Sequence, residues 1–199
     1  MTTSHIRTGL ADAELAVLAQ AGDRSAFGEL VRRHGPAVRG LLRRMGAQPS
    51  LADDVAQDAF LAAYERIAEF RGQGAFAGWV KRIAARLYIK RCKRQLRLAE
   101  LGAADADTAM QTPGESAAGQ RLDLDGALKL LSPAERLCVS LCCGAGFSHA
   151  ELAEALKSPL GTVKSHVRRG LDKMKAHLTS EVPEGHPSVS VVSARGGHV

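Results

Sequence analysis

The stretch SHAELAEALKSPLGTVKSHVRRGLDKMK, residues 148–175, constrains the fold more than any other part of the sequence. It contains two helical patterns that meet at residues 157–159, and the second pattern carries most of the Lys and Arg. Ser158 can cap a helix and Pro159 can occupy its first position, so the chain has to turn within about three residues. Two helices joined so closely predict a helix-turn-helix.

The second helix of this pair has two opposed faces. Its apolar residues are predicted to pack on the preceding helices, and they are Val163, Val167, Leu171, Met174 and Leu178. The other face carries small hydroxyl and guanidinium groups with a lysine on its flank: Thr162, Ser165, Arg168, Arg169, Asp172 and Lys164. Because a helix N-terminus also offers free N–H groups and a positive dipole end to phosphate, this face predicts a helix that reads the major groove of DNA. The alternative is a solvated basic face in an unrelated bundle, which requires the caps, the turn, the stripe and the basic face to coincide.

The composition and the helix signals predict an all-α protein. Apolar residues make up 45% of the chain and aromatic residues only 4%, and the abundant Ala and Leu favour helices over sheet. Capping-box patterns occur at residues 132–135, where Pro133 takes the first helical position, and at residues 148–151. Earlier helix starts are predicted at Asp12, at Asp23, at Ser50 with Asp53 as its capping-box partner, and near Ala75.

The chain is predicted to form two small helical domains. Residues 101–120, LGAADADTAMQTPGESAAGQ, contain a Pro-Gly pair and show no sustained apolar period, which is typical of a flexible linker. The last residues are rich in proline and glycine and are expected to be a disordered tail. We therefore expect domains at 10–98 and 122–179, a flexible linker at 99–121 and a disordered tail at 180–199.

The charge of the chain is unevenly distributed. Residues 1–97 hold 17 Lys and Arg against 9 Asp and Glu, whereas residues 98–121 hold 1 against 4 and residues 122–178 hold 8 against 6. Two basic bodies that flank an acidic connector indicate a polyanionic partner. Nucleic acid is favoured over a membrane surface, because no segment pairs a basic face with a broad Trp, Phe or Leu face.

The sequence predicts neither a membrane protein nor an enzyme. No run of about 18 uncharged apolar residues occurs, and the N-terminus carries charges in place of an apolar leader, so we expect a cytoplasmic protein without membrane insertion. We find no pattern for a nucleophilic triad, a catalytic carboxylate pair, a phosphate loop or a metal cluster, and therefore expect no cofactor.

The four cysteines are Cys92, Cys138, Cys142 and Cys143. They lack the paired spacing of a secreted disulfide framework, and we expect reduced thiols that are buried in apolar surroundings. The alternative is a metal or redox site that combines the last three cysteines with His149, but no CxxC pair supports it.

Two parts of the chain resemble one family. The segment LSPAERLCVSLCCGAGFSHAELAEALKSPLGTVKSHVRRGLDKMKAHL resembles region four of bacterial sigma factors, above all of the extracytoplasmic-function (ECF) class, in which a Pro-x-Gly-Thr-Val-Lys-Ser run opens the helix that reads the −35 promoter element. The segments AFGELVRRHGPAVRGLLRRMG and LADDVAQDAFLAAYERIAEFRGQGAFAGWVKRIAARL resemble region two, which binds core RNA polymerase and the −10 element. Both occur in the family's order.

The resemblance implies roles for three groups of residues. Contacts to the −35 element are expected from Thr162, Lys164, Ser165, His166, Arg168 and Arg169. The surface that docks on the polymerase clamp corresponds to Asp54, Gln57, Asp58 and Leu61, which share one helix face, although a merely solvated acidic face would have the same pattern. Contacts to the −10 element are expected from Arg71, Gln73, Lys81, Arg82, Arg86 and Lys90.

The segment around the −10 residues has two further features. From Lys81 to Arg97 the chain holds eight Lys and Arg and no acid, which suits contact with DNA phosphates. Four of the eight aromatic residues, Phe70, Phe76, Trp79 and Tyr88, lie within or beside the loop and helix. We expect most of them in the core, with base stacking by one of them as the alternative.

The chain also departs from the family's pattern. Arg86 and Lys90 stand where many ECF members have Asn and Asp, and His166 stands where Arg is frequent, so we expect an unusual −10 preference and a −35 contact set that differs in part from the family's. The resemblance implies promoter DNA, core RNA polymerase and an anti-sigma factor as partners. The rival interpretations are a stand-alone helix-turn-helix regulator, and an interaction module that binds an acidic protein through its basic faces.

Overall fold

The computed structural model of the chain describes residues 9–72, 75–100 and 120–180. Within these residues it contains eight α-helices and no strand: α1 Asp12–Gln20, α2 Arg24–Arg44, α3 Pro49–Glu65, α4 Phe76–Glu100, α5 Gln120–Lys129, α6 Pro133–Val139, α7 His149–Leu156 and α8 Leu160–Ser180. A 3-10 turn at Ile67–Glu69 follows α3, and a π-helical turn at Ser140–Gly144 extends α6. The predicted all-α fold is confirmed.

Helices α1 to α4, together called lobe one, pack around an aliphatic and aromatic core. Asp23 caps α2 through its carboxylate, which accepts hydrogen bonds from the N–H groups of Ser25 and Ala26 at 2.9 and 3.2 Å. At the centre, Phe76 is 1% exposed and its ring contacts those of Phe27 and Phe70 edge to face. This core fixes the start of α4 beside the loop that precedes it.

Helices α5 to α8, together called lobe two, are held by the predicted caps. Ser132 and Glu135 form a reciprocal capping box at α6, and Ser148 and Glu151 form a second one at α7. Helix α8 packs closely on α6 at Gly170, where an added Cβ would lie 2.7 Å from Cγ2 of Val139. The side chain of a residue larger than glycine has no room at this crossing.

The turn between α7 and α8 takes only residues 157–159. Lys157 adopts a left-handed conformation with φ +52° and ends α7 as its C-cap. The carbonyl of Pro159 accepts the first helical hydrogen bond of α8, from the N–H of Val163 at 3.2 Å. The Ser158 hydroxyl contacts the Leu156 carbonyl at 3.4 Å, so the prediction that Ser158 caps α8 is wrong. The helix-turn-helix itself is present.

Two other local predictions are corrected by the structure. Helix α3 begins at Pro49 after Gln48, without a side-chain cap, because Pro49 already occupies the first turn and Ser50 lies inside the helix. In α8, the predicted apolar stripe is buried only in part: Leu171 and Leu178 are 42% and 38% exposed. The buried line follows Val163, Val167, Gly170 and Met174, because the small glycine is what allows α8 to approach α6.

The two lobes pack against each other. One continuous hydrophobic cluster contains the core of lobe one together with Leu141, Phe147, Leu152 and Val163 of lobe two. Helix α4 runs to Glu100 and α5 begins at Gln120, so both ends of the predicted linker are helical. The rest of that linker, and all of the predicted tail beyond Ser180, lie outside the described residues.

The close crossing at Gly170 generates a test of this packing. Gly170→Ala should lower the free energy of unfolding by about 1–3 kcal/mol, because the new methyl group overpacks the contact with Val139. Gly161→Ala in the same helix has nothing within 4 Å of the added Cβ and should be neutral or slightly stabilising. Urea denaturation of both variants measures the difference, and equal stabilities would contradict the packing.

Candidate nucleic-acid and polymerase interfaces

The first three turns of α8 present the predicted −35 residues to solvent. Among them, Val163 and Val167 are buried on the inner side and fix the rotation of the helix. Four of the six predicted residues are exposed: Thr162, Lys164, Arg168 and Arg169. The other two, Ser165 and His166, are half-buried. The arrangement places hydroxyl, imidazole and guanidinium donors around the helix N-terminus, where base edges and phosphates would be contacted.

Arg168 and Arg169 differ in what surrounds their guanidinium groups. The Arg168 side chain is exposed, and in the described part of the chain it makes no ion pair. Arg169 donates from Nη2 to Nδ1 of His166 at 3.3 Å, and its Nε lies 3.8 Å from Oε1 of Glu135. Arg169 is therefore held against the protein, whereas Arg168 is free to reach a ligand.

Glu135 anchors the recognition helix to α6. Its carboxylate is buried and accepts a hydrogen bond from Nζ of Lys173 at 2.7 Å and another from the N–H of Ser132 at 3.0 Å. The hydrogen bond from Lys173 is the largest of the effects that hold the pKa of Glu135 below its ordinary value, against the opposing effect of burial. One carboxylate thus caps α6 and also fixes α8.

The predicted polymerase-docking residues form one exposed face of α3. Asp54, Gln57, Asp58 and Leu61 are all exposed, and Leu61 is 56% exposed. The opposite side of the helix, including Val55 and Ala59, is buried in lobe one. Arg91 of α4 lies beside the two aspartates, with 4.0 Å from its guanidinium nitrogens to each carboxylate. An exposed leucine beside two aspartates, which themselves lie close to an arginine, makes this face suitable for binding another protein.

The predicted −10 cations line α4, and lobe two covers some of them. Lys81 is half-buried, and Arg86 and Lys90 are exposed. Arg82 forms an ion pair with Glu151 of α7. The Cζ atoms of Arg82 and Arg86 lie 5.0 and 5.9 Å from the ring centroid of Phe147, within the range of cation–π attraction. The cationic face of α4 is thus shared between solvent and lobe two.

A groove of about 520 Å³ continues this cationic face. Helix α4 supplies one wall with four basic side chains, and Ala155 of α7 lies opposite. The lining residues are Arg86, Ile89, Lys90, Lys93, Arg94 and Ala155. Aliphatic stems with cationic ends suit a sugar-phosphate backbone.

The loop before α4 and its aromatic neighbours have mostly structural roles here. Arg71 is exposed and Gly72 has φ +69°, a backbone conformation that favours glycine, whereas Gln73 lies outside the described residues. Phe70, Phe76 and Tyr88 are buried, as the core interpretation predicts. Trp79 is only half-buried, and its ring packs against those of Phe70 and Phe76.

The cysteines are free thiols in the structure. Burial raises the pKa of Cys138 to about 11 and also raises the pKa of Cys92 and Cys142, which disfavours the reactive thiolate. Cys143 is exposed. Among the residues that the structure describes, no three His, Cys, Asp or Glu side chains are grouped to hold a metal ion, and no helix is long and apolar enough to cross a membrane.

The fold and these surfaces define an all-helical DNA-binding protein with a helix-turn-helix lobe and a cationic lobe that pack against each other. Residues 30–98 match the family model for Sigma-70 region 2, and residues 127–176 match that for Sigma-70, region 4. The chain belongs to the sigma-70 family of RNA polymerase sigma factors, in its ECF class. Such proteins act with RNA polymerase in promoter-specific initiation of transcription, and this is the function of the chain.

Individual relatives agree with this assignment. The chain is 36% identical to the RNA polymerase sigma factor NccH of Alcaligenes xylosoxydans xylosoxydans over 85% of its own length and 95% of that protein. It is 30% identical to the ECF RNA polymerase sigma factor SigE of Mycolicibacterium smegmatis over 85% of its own length and 69% of that protein. The solved sigma factor RpoE of Bartonella quintana shares the fold, with a TM-score of 0.51, 22% identity and coverage of 78% of this chain and 98% of that chain.

Sequence reasoning missed the contact between the lobes. The sequence pattern predicts only a capping-box role for Glu151 and no contact for Phe147, yet both residues contact α4. No local signal predicts this, because Arg82 and Glu151 are 69 residues apart in the chain.

The anchoring role of Glu135 generates a pH prediction. Because its pKa is lowered in the folded chain, its ion pair stabilises the fold above the ordinary carboxyl pKa of 4.5, and this stabilisation is lost as the pH falls through the lowered value. Glu135→Gln keeps an acceptor for the cap but removes the charge, so it should cost about 1–2 kcal/mol at pH 7 and little in acid.

Thermal denaturation across the pH range measures the effect, with Asp172→Asn as an exposed control on α8. The control should change stability by less than about 0.5 kcal/mol. A Glu135→Gln deficit that stays constant down to acid pH would contradict the ion-pair account.

Proposed function

We propose that this sigma factor divides its contacts among three surfaces: α8 for the −35 element, the cationic face of α4 for the −10 element, and the exposed face of α3 for core polymerase. The proposal rests mainly on the first turns of α8. Val163 and Val167 are buried there and fix the rotation of the helix, so its hydroxyl and guanidinium groups lie on the outer face. The chain contributes binding energy and no catalysis of its own, and it works in the cytoplasm, where polymerase and chromosome are.

Contact with the −35 element is made by the six residues of the α8 face. Arg168 is the main base-reading candidate, because a free guanidinium can donate two hydrogen bonds to a guanine. Lys164 and the helix N-terminus then neutralise phosphates. Arg169 serves chiefly to orient the helix, since it is tied to Glu135 and His166.

Contact with the −10 element is made by lobe one. Arg71, Gln73, Lys81, Arg82, Arg86 and Lys90 are proposed as its contacts, with Trp79 as a stacking surface. Single-stranded DNA is bound by cationic grooves that track the backbone and by aromatic faces, and the groove along α4 has the first of these properties. If about six phosphates are neutralised, affinity falls roughly a thousandfold between 50 and 200 mM salt.

We also propose that the chain consists of separable domains at 10–98 and 122–179, and that an anti-sigma factor binds it. Independent engagement of two promoter elements requires separable lobes. The Bartonella quintana sigma factor that shares this fold was solved in complex with the anti-sigma factor NepR. An inhibitor of this type would occupy surfaces that polymerase or DNA needs.

In vitro transcription with core polymerase tests the proposal directly. The wild type should direct RNA synthesis from a defined start site, and Leu61→Asp should reduce polymerase affinity about tenfold, because it places a charge in an apolar contact. Val17→Asp, at a comparably exposed residue of α1, should behave as wild type.

The rivals predict other outcomes in the same assay. A stand-alone regulator would bind duplex DNA equally well without polymerase, and Leu61→Asp would change nothing. A module for an acidic partner would give no start-site-specific RNA with any variant. Either result would overturn the proposed function.

The different surroundings of the two adjacent arginines generate a further prediction. Arg168→Ala should weaken binding to a −35 duplex by about 1–3 kcal/mol, which is roughly fivefold to 150-fold, and relax its sequence preference. Arg169→Ala should cost less, because its guanidinium is already engaged within the protein.

Fluorescence anisotropy with matched and mismatched duplexes measures both effects. Lys175→Ala, on an exposed position further along α8, is the control for loss of one positive charge. Equal losses for the two arginine variants would contradict the assignment of Arg168 as the reading residue.

A further inference from the structure

Helix α1 has no part in the three proposed surfaces, yet one of its side chains reaches the segment that leads to the −10 residues. Nε2 of Gln20, the last residue of α1, lies 3.0 Å from the carbonyl oxygen of Ile67 and 2.8 Å from that of Phe70. These carbonyls belong to the first residue of the 3-10 turn after α3 and to the residue that ends it. One amide group thus holds both ends of a turn that lies 47 to 50 residues later in the chain.

The two contacts explain why this side chain is a primary amide. Both partners are carbonyl oxygens, so the nitrogen of the Gln20 amide faces them, and its two hydrogens supply one bond to each. A glutamate of the same shape has no donor when it is ionised. The Ile67 carbonyl also accepts a hydrogen bond from the N–H of Phe70 at 3.1 Å, which closes the turn. Gln20 therefore fastens to α1 a turn that is already formed locally.

The hydrogen bond to Phe70 determines how the chain enters the loop before α4. The carbonyl of Phe70 and the N–H of Arg71 belong to one planar peptide group, so fixing the direction of the carbonyl also fixes that of the N–H. The Phe70 ring is 7% exposed, and its centroid lies 5.5 and 5.4 Å from those of Phe76 and Trp79 at the start of α4. Phe70 is therefore held from two sides, through its carbonyl by α1 and through its ring by α4.

The residues that follow Phe70 depend on this support. Arg71 is exposed, and Gly72 has nothing within 4 Å of an added Cβ, so neither residue is fixed by packing. The ion pair between Arg66 and Glu69 is exposed and contributes little. In the described part of the chain, the side-chain hydrogen bonds that reach residues 66–72 from another helix both come from Gln20.

We propose that Gln20 is a positioning residue for the −10 element: its amide fixes the peptide group between Phe70 and Arg71, so that Arg71 and Gly72 meet a base of the single strand in one orientation. The proposal rests on the function proposed above, which assigns the −10 element to lobe one. Base discrimination depends on the direction of hydrogen-bonding groups, whereas attraction between cations and phosphates does not. Loss of the Gln20 amide should therefore reduce base preference and leave most of the affinity for single-stranded DNA.

Gln20→Glu and Gln20→Leu test this role in the full chain. Both replacements are close to glutamine in size, and at neutral pH neither donates a hydrogen bond to the two carbonyls. Ala13→Glu is the control for charge, because it adds the same negative charge at an exposed residue about two turns earlier on the same side of α1. Gln20 is exposed, so both variants should fold as wild type does, and circular dichroism checks this.

The measurement is the base preference of the complex with core polymerase. Each variant, bound to core polymerase, is mixed with a pool of short single-stranded DNA randomised at every position, and the bound fraction is sequenced, with core polymerase alone as background. Wild type and Ala13→Glu should enrich particular bases. Both Gln20 variants should lose about fivefold of that enrichment, which corresponds to one hydrogen bond to a base of about 1 kcal/mol. Their affinity for the whole pool should stay close to that of wild type, because the cations of α4 are unchanged.

Three outcomes would overturn the positioning role. The first is a base preference of both Gln20 variants equal to that of wild type. The second is a loss of affinity for the whole pool as large as the loss of preference, because that pattern indicates general damage to lobe one. The third is a wild type that directs transcription but enriches no base. The proposed function fails separately, if wild type directs no start-site-specific transcription.

Discussion

The burial of Phe147 against the two arginines of α4 is the contact on which the arrangement of the lobes depends. The ring is 5% exposed and belongs to the same hydrophobic cluster as the core of lobe one. It lies just before the cap of α7, so it links the start of the helix-turn-helix to a helix that carries eight of the chain's 27 Lys and Arg. Because the attraction acts on cations, the residues that close the protein are also residues that DNA would attract.

The cations of α4 contact groups of the protein and are also proposed to contact DNA, and this accounts for the uneven distribution of charge along the chain. A cationic helix with few acids nearby is unfavourable when isolated, and α4 reduces its self-repulsion by pairing Arg82 with Glu151 and by placing Arg91 beside the acids of α3. Arg86, which departs from the pattern of many ECF members, is one of the two cations over Phe147, so the departure coincides with the closing contact.

Local features of the fold were predictable from the sequence because their causes are local. Both capping boxes, the all-α content and the three-residue turn depend on residues within one helical turn of each other. The predicted cap at Ser158 failed because its hydroxyl bonds backward to Leu156, a choice between two near neighbours that spacing cannot decide. The predicted apolar stripe of α8 is wrong at Leu171, because Gly170 lies at the crossing with α6 instead. A search for periodic apolar side chains does not detect a glycine.

The candidate surfaces also differ in whether local sequence patterns predict them. The exposed faces of α3 and α8 follow from helical periodicity, and the exposure of their residues agrees with it. The covering of α4 by α7 depends on residues more than 60 positions apart, and pairing of distant residues has no signature in a single sequence. The sequence predicted two tethered lobes that bind DNA; the structure adds that the two lobes pack against each other.

The most direct test of the account is the distance between the lobes. Dyes placed at the exposed residues Ala37 of α2 and Lys175 of α8, attached by non-cysteine chemistry because Cys143 is exposed, report it by energy transfer. The account predicts high transfer in the free chain and a separation above about 60 Å in the complex with polymerase and promoter, as the spacing of the two elements requires. The same short distance in both states, or a long distance in the free chain, would contradict it.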